Sequence, residues 1–481
     1  MSRVKGSITI FSLLSLLLVA AVLFALLEGT RYQELRRFAG MQTELALEAV
    51  FSNYNLYLWE NYHLLGAEAR DMKDILQRVA NGRSGTDGNL LAFRLEEQQT
   101  EAVSRMTDGQ GLEYIHAVSA YMEEHLLYET AREIYNQYEG VKSLLGQGEV
   151  DMSKIEEAQC EIESAIKEAS ESSVSVGTSK NEEDEKVVEA DALLEAVQNW
   201  RQNGVLELVL EDTNQISNAE PDLSGGLLER NLQVGTGGTD SEINWTERIL
   251  LQQYLLTYMS NYLEKQPERV FSYEIEYLLG KKESDKENLQ EVVWKLLWIR
   301  EVSNFVYLVS NPAKCAQAEA AALTIGGITL SPVVVEVVKL GLLTAWALAE
   351  SVLDVRALLV GKKIPFIKSE QTWTMELENI GQVADGFLMA QESMTGIGYE
   401  NYLGILLLLE EETNIAMYAM NIQEASIRSM GNTSFCMDDM ITQTQVAINY
   451  SYAPVFPFSQ VLNVKKPWGY GISTVGNYGY Y

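Results

Sequence analysis

The sequence predicts a mainly α-helical protein with a small C-terminal β element, an α+β fold. A single N-terminal transmembrane helix is predicted to continue into a long amphipathic helix. Three observations support this. Residues 8–27 contain no charged side chain. No proline, the strongest breaker of helix interiors, occurs before Pro221. After residue 442 the sequence alternates apolar and polar residues and then becomes rich in glycine, proline and tyrosine.

The uncharged segment begins at Ile8 and ends at Leu27, and it is the predicted membrane anchor. A helix of this length measures about 30 Å, which matches the hydrocarbon thickness of a bilayer. The segment is longer than the apolar region of a secretory signal, and no small-x-small cleavage site follows it before Arg31. We therefore expect a signal-anchor that stays in membrane lipid, with residues 1–7 as a short cytoplasmic tail.

The rest of the chain divides by composition. Residues 28–145 and 192–435 are rich in helix-forming residues and are predicted to form two parts of one helical body. Residues 146–191 are Glu- and Ser-rich with few large apolar side chains, which predicts an acidic low-complexity insertion. Within the second helical part, residues 211–243 contain several glycines and are predicted to be flexible. Residues 436–481 form the predicted β-rich C-terminal tail.

The first helical part begins as a direct continuation of the anchor. One moderately apolar helical stripe is indicated by residues that recur at intervals of three and four: Phe38, Met41, Leu45, Ala49, Ser52, Leu56 and Trp59. We expect this stripe to dock on the body, and the helix to act as a spine that lifts the body off the bilayer. Helix is also predicted for residues 90–145, with a break near the two glycines at 109 and 111.

A second apolar stretch, residues 316–360, has two interpretations. As a membrane span it buries Glu336 and Lys339, at a cost of about 2.5–3.5 kcal/mol each. Pro332 also divides it. The sequence therefore favours a buried helical hairpin, and contact of residues 333–349 with the membrane is the alternative.

The charge of the chain argues against a nucleic-acid-binding surface, and the spacing of the cysteines argues against a zinc site. The formal charge is −32, from 68 acidic and 36 basic residues, and such a surface repels the phosphates of nucleic acids. The cysteines Cys160, Cys315 and Cys436 lie far apart and lack the spacing of a zinc site. Free thiols are the favoured state, and a Cys315–Cys436 disulfide is the alternative.

Residues that could carry catalysis are sparse. The sequence has three histidines, and His116 and His125 point to different faces of a predicted helix. No GxSxG or GxxxxGK[ST] motif occurs, and the glycine-rich residues 235–239 and 469–476 do not join a strand to a helix. We therefore expect no enzyme activity, no metal site and no cofactor.

Aromatic residues are the candidate contact surfaces, because tyrosine combines a large apolar area with a polar tip. Four belong to the C-terminal tail, where an interface and packing within the sheet are equally supported: Tyr470, Tyr478, Tyr480 and Tyr481. Four others precede residue 65, and core packing is favoured for them: Tyr54, Tyr57, Trp59 and Tyr62. In the tail, Val446, Ile448, Tyr450 and Tyr452 alternate, which predicts a strand with these side chains on one face.

The first residues, KGSITIFSLLSLLLVAAVLFALLEGTR, resemble the start of TadE/TadG-like pseudopilins of the tight-adherence (Flp) pilus system. A Firmicutes family of unknown function is more similar still. It shares the Lys-Gly-Ser start and segments like AVFSNYNLYLWENYHLLG, YEIEYLLGKKESDKENL, TAWALAESVLDVRALLVGKKIPFIK and YLGILLLLEEE. The VAINYSYAPVFPF strand also resembles the C-terminal strand of TadE-like proteins. This similarity spans nearly the whole chain apart from the acidic insertion.

The resemblance implies a membrane-anchored, extracytoplasmic accessory protein of a pilus-like machine, whose partners are other envelope or pilus-system proteins. The alternatives are a membrane-tethered extracytoplasmic enzyme and a sensor. Lys and Arg residues flank the anchor on both sides and do not decide its orientation. The resemblance favours the domain outside. Gly6 and Ser7 are the candidate processing site, but Phe11 stands where prepilins carry Glu.

Overall fold

A computed structural model describes residues 5–81, 91–125, 204–238, 243–266, 269–326, 332–383, 387–452 and 470–481. The chain divides into two compact units. Unit 1 consists of Met1–Glu124, Ser224–Glu247 and Ala416–Tyr481, and unit 2 of His125–Leu223 and Arg248–Ile415. The predicted acidic insertion, residues 146–191, lies outside the described residues, as do the first four residues of the predicted cytoplasmic tail.

The described residues are mainly helical and contain one antiparallel sheet, as the sequence predicts. The helices are α1 (Lys5–Phe51), α2 (Leu56–Tyr62), α3 (Ala69–Ala80), α4 (Asp108–His125), α5 (Val205–Val209), α6 (Trp245–Tyr258), α7 (Glu274–Gly280), α8 (Asp285–Ser310), α9 (Pro312–Gly326), α10 (Pro332–Leu359), α11 (Tyr399–Leu409) and α12 (Glu412–Ser429). The strands are β1 (Ala67–Glu68), β2 (Arg94–Arg105), β3 (Met440–Tyr452) and β4 (Tyr470–Gly479).

The longest of these elements is α1, with 47 residues. It confirms the prediction that the apolar segment continues unbroken into a second helical segment. The helix ends at Phe51, where serine, asparagine and tyrosine residues with weaker helix propensity follow. Asn55 then caps α2, because its side-chain oxygen accepts a hydrogen bond from the Leu58 N–H at 3.1 Å.

The sheet of unit 1 is built around β3. Strand β2 pairs antiparallel with one edge of β3, whereas β1 and β4 pair with its other edge. Val446, Ile448, Tyr450 and Tyr452 are all buried. The predicted strand and its apolar face are therefore confirmed, although the strand begins at Met440, a few residues earlier than the alternation suggests.

The sheet contacts a different face of α1 from the predicted one. Met41 and Leu45 of the predicted stripe are 48% and 50% exposed, whereas Leu35, Ala39 and Leu47 are buried. The sheet packs closely on this other face. An added Cβ on Gly476 of β4 would lie 2.6 Å from Leu47 Cδ1, so the missing side chain at Gly476 leaves room for Leu47. The stripe prediction was wrong for Met41 and Leu45, although Phe38 does pack against the core. The buried face is selected by strands that are remote in the chain, which the spacing of apolar residues along the helix does not show.

Strand β2 is the element that the sequence prediction missed. Residues 94–105, RLEEQQTEAVSR, lie inside the predicted helix 90–145, and their Glu and Gln content favours helix. In the structure they pair with β3 over most of its length, with three register shifts. Local propensity is overridden by cross-strand pairing. The predicted break downstream is confirmed, since Gly109, Gln110 and Gly111 have positive φ angles at the start of α4.

Helix α1 and strands β3 and β4 run side by side, so that positions along the helix measure height along the sheet. At one end the rings of Tyr32 and Tyr452 lie 5.9 Å apart. In the middle the Thr43 and Thr474 hydroxyls are 2.7 Å apart. At the other end the rings of Phe51 and Tyr478 lie 5.0 Å apart. Tyr32 and Phe51, at the two ends of this contact between helix and sheet, are about 28 Å apart along the helix.

The glycine-rich part of the predicted flexible segment lies against the outer edge of β2. Gly235 N–H donates to Asp108 Oδ1 at 2.8 Å, and Gly237 N–H donates to the Val103 carbonyl at 2.9 Å. An added Cβ on Gly235 would lie 2.1 Å from Asp108 Oδ2. These glycines are therefore sites of close backbone approach, and the prediction of a flexible stretch is at odds with the contacts of residues 224–238.

Unit 2 is a helical assembly. Helices α8 and α10 make its most extensive contact, and α9 and α10 form the predicted helical hairpin. Trp346 and Ala349 of α10 have no exposed surface. Lys339 is ion-paired with Glu319 of α9 and with Glu336. These contacts support the hairpin interpretation of residues 316–360.

We predict that Leu47→Ala lowers the free energy of unfolding by about 2–5 kcal/mol, because it opens a cavity between α1 and the sheet. Leu45→Ala, two residues away and half exposed, is the matched control, with an expected loss below about 0.5 kcal/mol. Denaturant titration of the full chain in detergent micelles measures both. Equal losses of unfolding free energy in the two variants would contradict the packing seen here and favour the apolar stripe predicted from the sequence.

We also predict that Gly235→Ala destabilises unit 1 by about 1–3 kcal/mol, because the new methyl group collides with Asp108 and the Val103 carbonyl. The control is Gly40→Ala in α1, where an added Cβ meets nothing within 4 Å and helix propensity favours alanine. Denaturant titration in detergent measures the free energy of unfolding of both variants. If Gly235→Ala leaves it unchanged, the close packing of this loop on β2 is contradicted.

Candidate functional site

The first half of α1 is the most exposed apolar surface in the described residues. Phe11, Leu16 and Leu18 are 73%, 67% and 69% exposed, and α1 is the one helix of the described chain long and apolar enough to cross a membrane. Its serines also suit lipid. Ser12 Oγ donates to the Thr9 carbonyl at 3.0 Å and Ser15 Oγ to the Phe11 carbonyl at 2.9 Å, so these hydroxyls are bonded within the helix.

A small cluster marks the point where α1 meets the sheet, and we call it the junction cluster: Arg31, Tyr32 and Tyr452. The Arg31 guanidinium carbon lies 5.5 Å from the centre of the Tyr452 ring. Arg31 Nη1 also donates to Glu28 Oε1 at 2.7 Å. The cluster begins only four residues after Leu27, the last residue of the predicted anchor. Sequence reasoning missed it because Tyr452 is remote in the chain.

The tyrosines of the tail meet α1 at the other end of the sheet. Tyr478 and Tyr480 both contact the Phe51 ring, and the Tyr480 hydroxyl donates to the Phe51 carbonyl at 2.6 Å. Tyr481 hydrogen-bonds the backbone of Leu65. Tyr478 and Tyr481 nonetheless keep 38% and 45% of their surface exposed. We call Phe51, Tyr478, Tyr480 and Tyr481 the distal aromatic cluster. The side chain of Tyr470 lies outside the described residues, although its backbone opens β4 opposite Tyr452.

The upstream aromatic residues divide between core and surface. Tyr62 is fully buried, as favoured for this group, whereas Tyr54 and Tyr57 are 37% and 40% exposed. Trp59 packs edge-on against His63, whose ring stacks on Tyr121 at 5.8 Å. His63 therefore takes part in aromatic packing.

The other predicted positions are placed as follows. Gly6 and Ser7 lie in the first turn of α1. Cys315 and Cys436 are free and half-buried, so the disulfide alternative is not realised, while Cys160 lies outside the described residues. Within the described ranges, no three His, Cys, Asp or Glu side chains lie close enough to hold a metal ion.

Unit 2 contains an ionic cluster with no exposed charge. Asp354 Oδ2 accepts two hydrogen bonds from Arg300, at 3.0 and 2.8 Å, and Asp354 Oδ1 lies 2.7 Å from Lys368 Nζ. Lys368 also donates to Glu350 Oε1 at 2.6 Å. Arg300 also lies within hydrogen-bond distance of the Tyr402 hydroxyl, at 2.9 Å. Two cations and two anions thus neutralise each other in the core.

This ionic cluster joins helices to an irregular segment. Arg300 also donates to the carbonyls of Pro365 and Phe366, and the Glu350 carboxylate accepts from the backbone N–H groups of Thr374 and Met375. Arg300 and Glu350 therefore fix backbone groups of the segment that follows α10, outside regular helix or sheet. The available sequence signal is Glu350, a carboxylate inside the apolar stretch 316–360, but its partner Lys368 lies beyond that stretch and Arg300 before it.

A second buried acid in unit 2 has an altered pKa. Glu276 is fully buried in α7, where it accepts hydrogen bonds from the Tyr262 N–H at 2.8 Å and the Tyr399 hydroxyl at 2.6 Å. Its other carboxylate oxygen has no hydrogen-bond partner among the described residues. Burial raises the pKa of Glu276 to about 7, against the lowering effect of the two hydrogen bonds.

Unit 1 has an ionic cluster of its own at the glycine-rich loop. Arg230 Nη2 donates to Glu424 Oε2 and to Asp438 Oδ1, each at 2.6 Å. The Gln233 N–H donates to Asp438 Oδ2 at 3.0 Å. Burial raises the pKa of Asp438, but these hydrogen bonds outweigh burial and leave it below its ordinary value. The cluster holds the loop against α12 and the residues that precede β3.

A cavity of about 980 Å³ opens on the sheet where β3 ends and β4 begins. Its wide mouth is lined by Arg94 and Glu97 of β2, Asn449 and Ser451 of β3, and Ser473 of β4.

We predict that Glu276 makes the stability of unit 2 pH-dependent. The folded-state pKa lies above the unfolded value of about 4.5, so both states are protonated below that pH and no penalty arises. As pH rises from about 4.5 to 7, Glu276 ionises in the unfolded chain before it does so in the folded protein. The free energy of unfolding therefore falls by roughly 2–3 kcal/mol over this range. The free energy of unfolding of wild type and Glu276→Gln, measured at a series of pH values between about 4.5 and 7, tests this dependence. Glu283→Gln, at an exposed position, is the control. A wild-type-to-variant difference that does not change with pH contradicts the prediction.

Comparison with known proteins gives one match. Residues 181–452 match a family of unknown function, DUF5702. No curated protein and no solved structure matches the chain. The anchor and the first 180 residues lie outside the match, so the resemblance to TadE/TadG-like pseudopilins and to a Firmicutes family stays a prediction. Because the matched residues make up more than half of the chain, the protein belongs to the DUF5702 family.

Proposed function

We propose that this protein is a membrane-anchored structural protein of the cell envelope that takes part in the assembly of a pilus-like system. The observation that carries the proposal is α1. Its first half is an exposed apolar rod, and its second half forms the core of unit 1 with the sheet. Since one unbroken helix is both anchor and core, any displacement or restraint of the anchor is passed directly to unit 1.

Anchoring supplies the physical mechanism. A protein confined to the membrane meets partners held in the same membrane at a raised effective concentration, so weak contacts suffice for assembly. The half-exposed tyrosines of the distal aromatic cluster are the candidate contacts for envelope proteins, about 28 Å along α1 from the junction cluster. Aromatic side chains of this kind are enriched in protein interfaces.

The bulk of the chain is placed on the extracytoplasmic side in this proposal. The resemblance of the first residues to TadE/TadG-like proteins supports that side. The net charge of −32 also favours separation from the anionic cytoplasmic leaflet and from nucleic acids.

The charged residues of unit 2 support a structural role. The carboxylates and cations of the Arg300–Asp354–Lys368–Glu350 cluster are engaged with one another and with the backbone. A group held this way has its charge already compensated and contributes to a fixed arrangement of helices. Such an arrangement suits a protein whose task is to hold a shape.

We predict that the double substitution Leu14→Arg and Leu18→Arg moves the protein from the membrane fraction to the soluble or aggregated fraction. Each arginine at the centre of a span costs about 2.5–3.5 kcal/mol of insertion free energy. The control is the double substitution Met41→Arg and Leu45→Arg, whose positions are exposed on α1 beyond the apolar half. Alkaline extraction of native membranes reports the outcome. Loss of both variants from the membrane, or of neither, argues against an anchor at residues 8–27.

Two further measurements separate anchoring from the assembly role. An epitope tag at Tyr481 should be digested by protease in intact spheroplasts, and protection would reverse the proposed side. Crosslinking in native membranes followed by purification should recover pilus-system membrane proteins. If only unrelated proteins are recovered, the assembly role fails while the anchor remains.

A further inference from the structure

The inference concerns the height of unit 1 above the membrane, and it rests on the anchor proposed above. From the sequence, the second half of α1 is expected to act as a spine that holds the body away from the bilayer. The structure places the end of the sheet at Tyr32, because the Tyr32 and Tyr452 rings lie 5.9 Å apart. Tyr32 is only five residues beyond Leu27. No free stretch of spine separates the apolar rod from unit 1.

The helix itself measures the distance. Five residues of α-helix rise about 7.5 Å. The polar layer on each side of a bilayer is about 5–8 Å thick, taken from a hydrocarbon core of about 30 Å and a total of about 40–45 Å. With Leu27 at the edge of the hydrocarbon, Tyr32 and the end of the sheet therefore fall at the level of the phospholipid headgroups.

We infer that the junction cluster seats unit 1 directly on the phospholipid headgroups. Tyr32 is the member of the cluster that faces outward, because the Arg31 side chain is 10% exposed and bonded to Glu28, and Tyr452 is buried. Tyrosine is enriched at this layer because it combines an apolar ring with a polar hydroxyl. Tyr32 keeps 37% of its surface exposed, so its ring is free to lie among the headgroups. The exposed cations Arg36 and Arg37 stand about 6 Å or more further along α1, above this layer.

The seating fixes the orientation of the sheet. Strand β3 runs toward the bilayer and ends at it, and β4 leads away from it, since Tyr452 pairs with Tyr470 and Thr444 pairs with Tyr478. The distal aromatic cluster is then the part of the sheet farthest from the membrane. The lipid contact and the candidate protein contact therefore lie at opposite ends of the contact between α1 and the sheet.

Depth-dependent fluorescence quenching tests the seating. The parent is the full chain with Cys160→Ser, Cys315→Ser and Cys436→Ser, reconstituted in phosphatidylcholine vesicles. One fluorophore is placed at Gly471→Cys, where an added Cβ meets only the Tyr450 carbonyl at 3.9 Å, and one at Asn477→Cys on the same strand. These positions differ by about 20 Å in height. Ser473→Cys, also exposed, replaces Gly471→Cys if that variant fails to fold.

The expected result with a headgroup-attached nitroxide is at least threefold stronger quenching at residue 471 than at 477. A third probe at Leu17→Cys, quenched by an acyl-chain nitroxide, reports the anchor separately. Quenching at Leu17 with equal, weak signals at 471 and 477 overturns the seating and leaves the anchor in place. Absence of acyl-chain quenching at Leu17 overturns both the seating and the proposed function.

Discussion

The packing of the second half of α1 against β3 and β4 is the interaction on which unit 1 depends. It brings together residues that are 431 positions apart, such as Thr43 and Thr474, and it buries Leu35, Leu47 and Ile448 in one core. The contact requires close approach, which Gly476 and small helix residues permit. Because the same helix extends into the exposed apolar segment, the packing also determines where that segment stands relative to the sheet.

Much of the architecture could be predicted from the sequence, because its signals are local. Each of these signals is read from residues that are close together in the sequence. They are the uncharged run of apolar residues, the absence of proline and the alternation around Ile448. The hairpin of α9 and α10 followed from the cost of placing Glu336 and Lys339 in lipid. In each case the physical constraint acts on the segment itself.

The features that escaped prediction are set by distant residues. Strand β2 has the composition of a helix, and only pairing with β3 decides its conformation. The buried face of α1 is set by the sheet, in which Gly476 of β4 leaves room for Leu47. Gly235 and Gly237 share the composition of a flexible linker and yet serve tight packing on β2. The junction cluster and the Arg300–Asp354 pair likewise require partners that no local pattern reveals.

The division of unit 1 into three stretches of chain has a consequence for its biogenesis. During synthesis α1 emerges early, while β3 and β4, which cover Leu35 and Leu47, are translated only after the residues of unit 2. Contacts of such long sequence separation form slowly and leave apolar surface uncovered in the meantime. The apolar face of α1 that packs on the sheet therefore stays uncovered during synthesis until the final strands have been made.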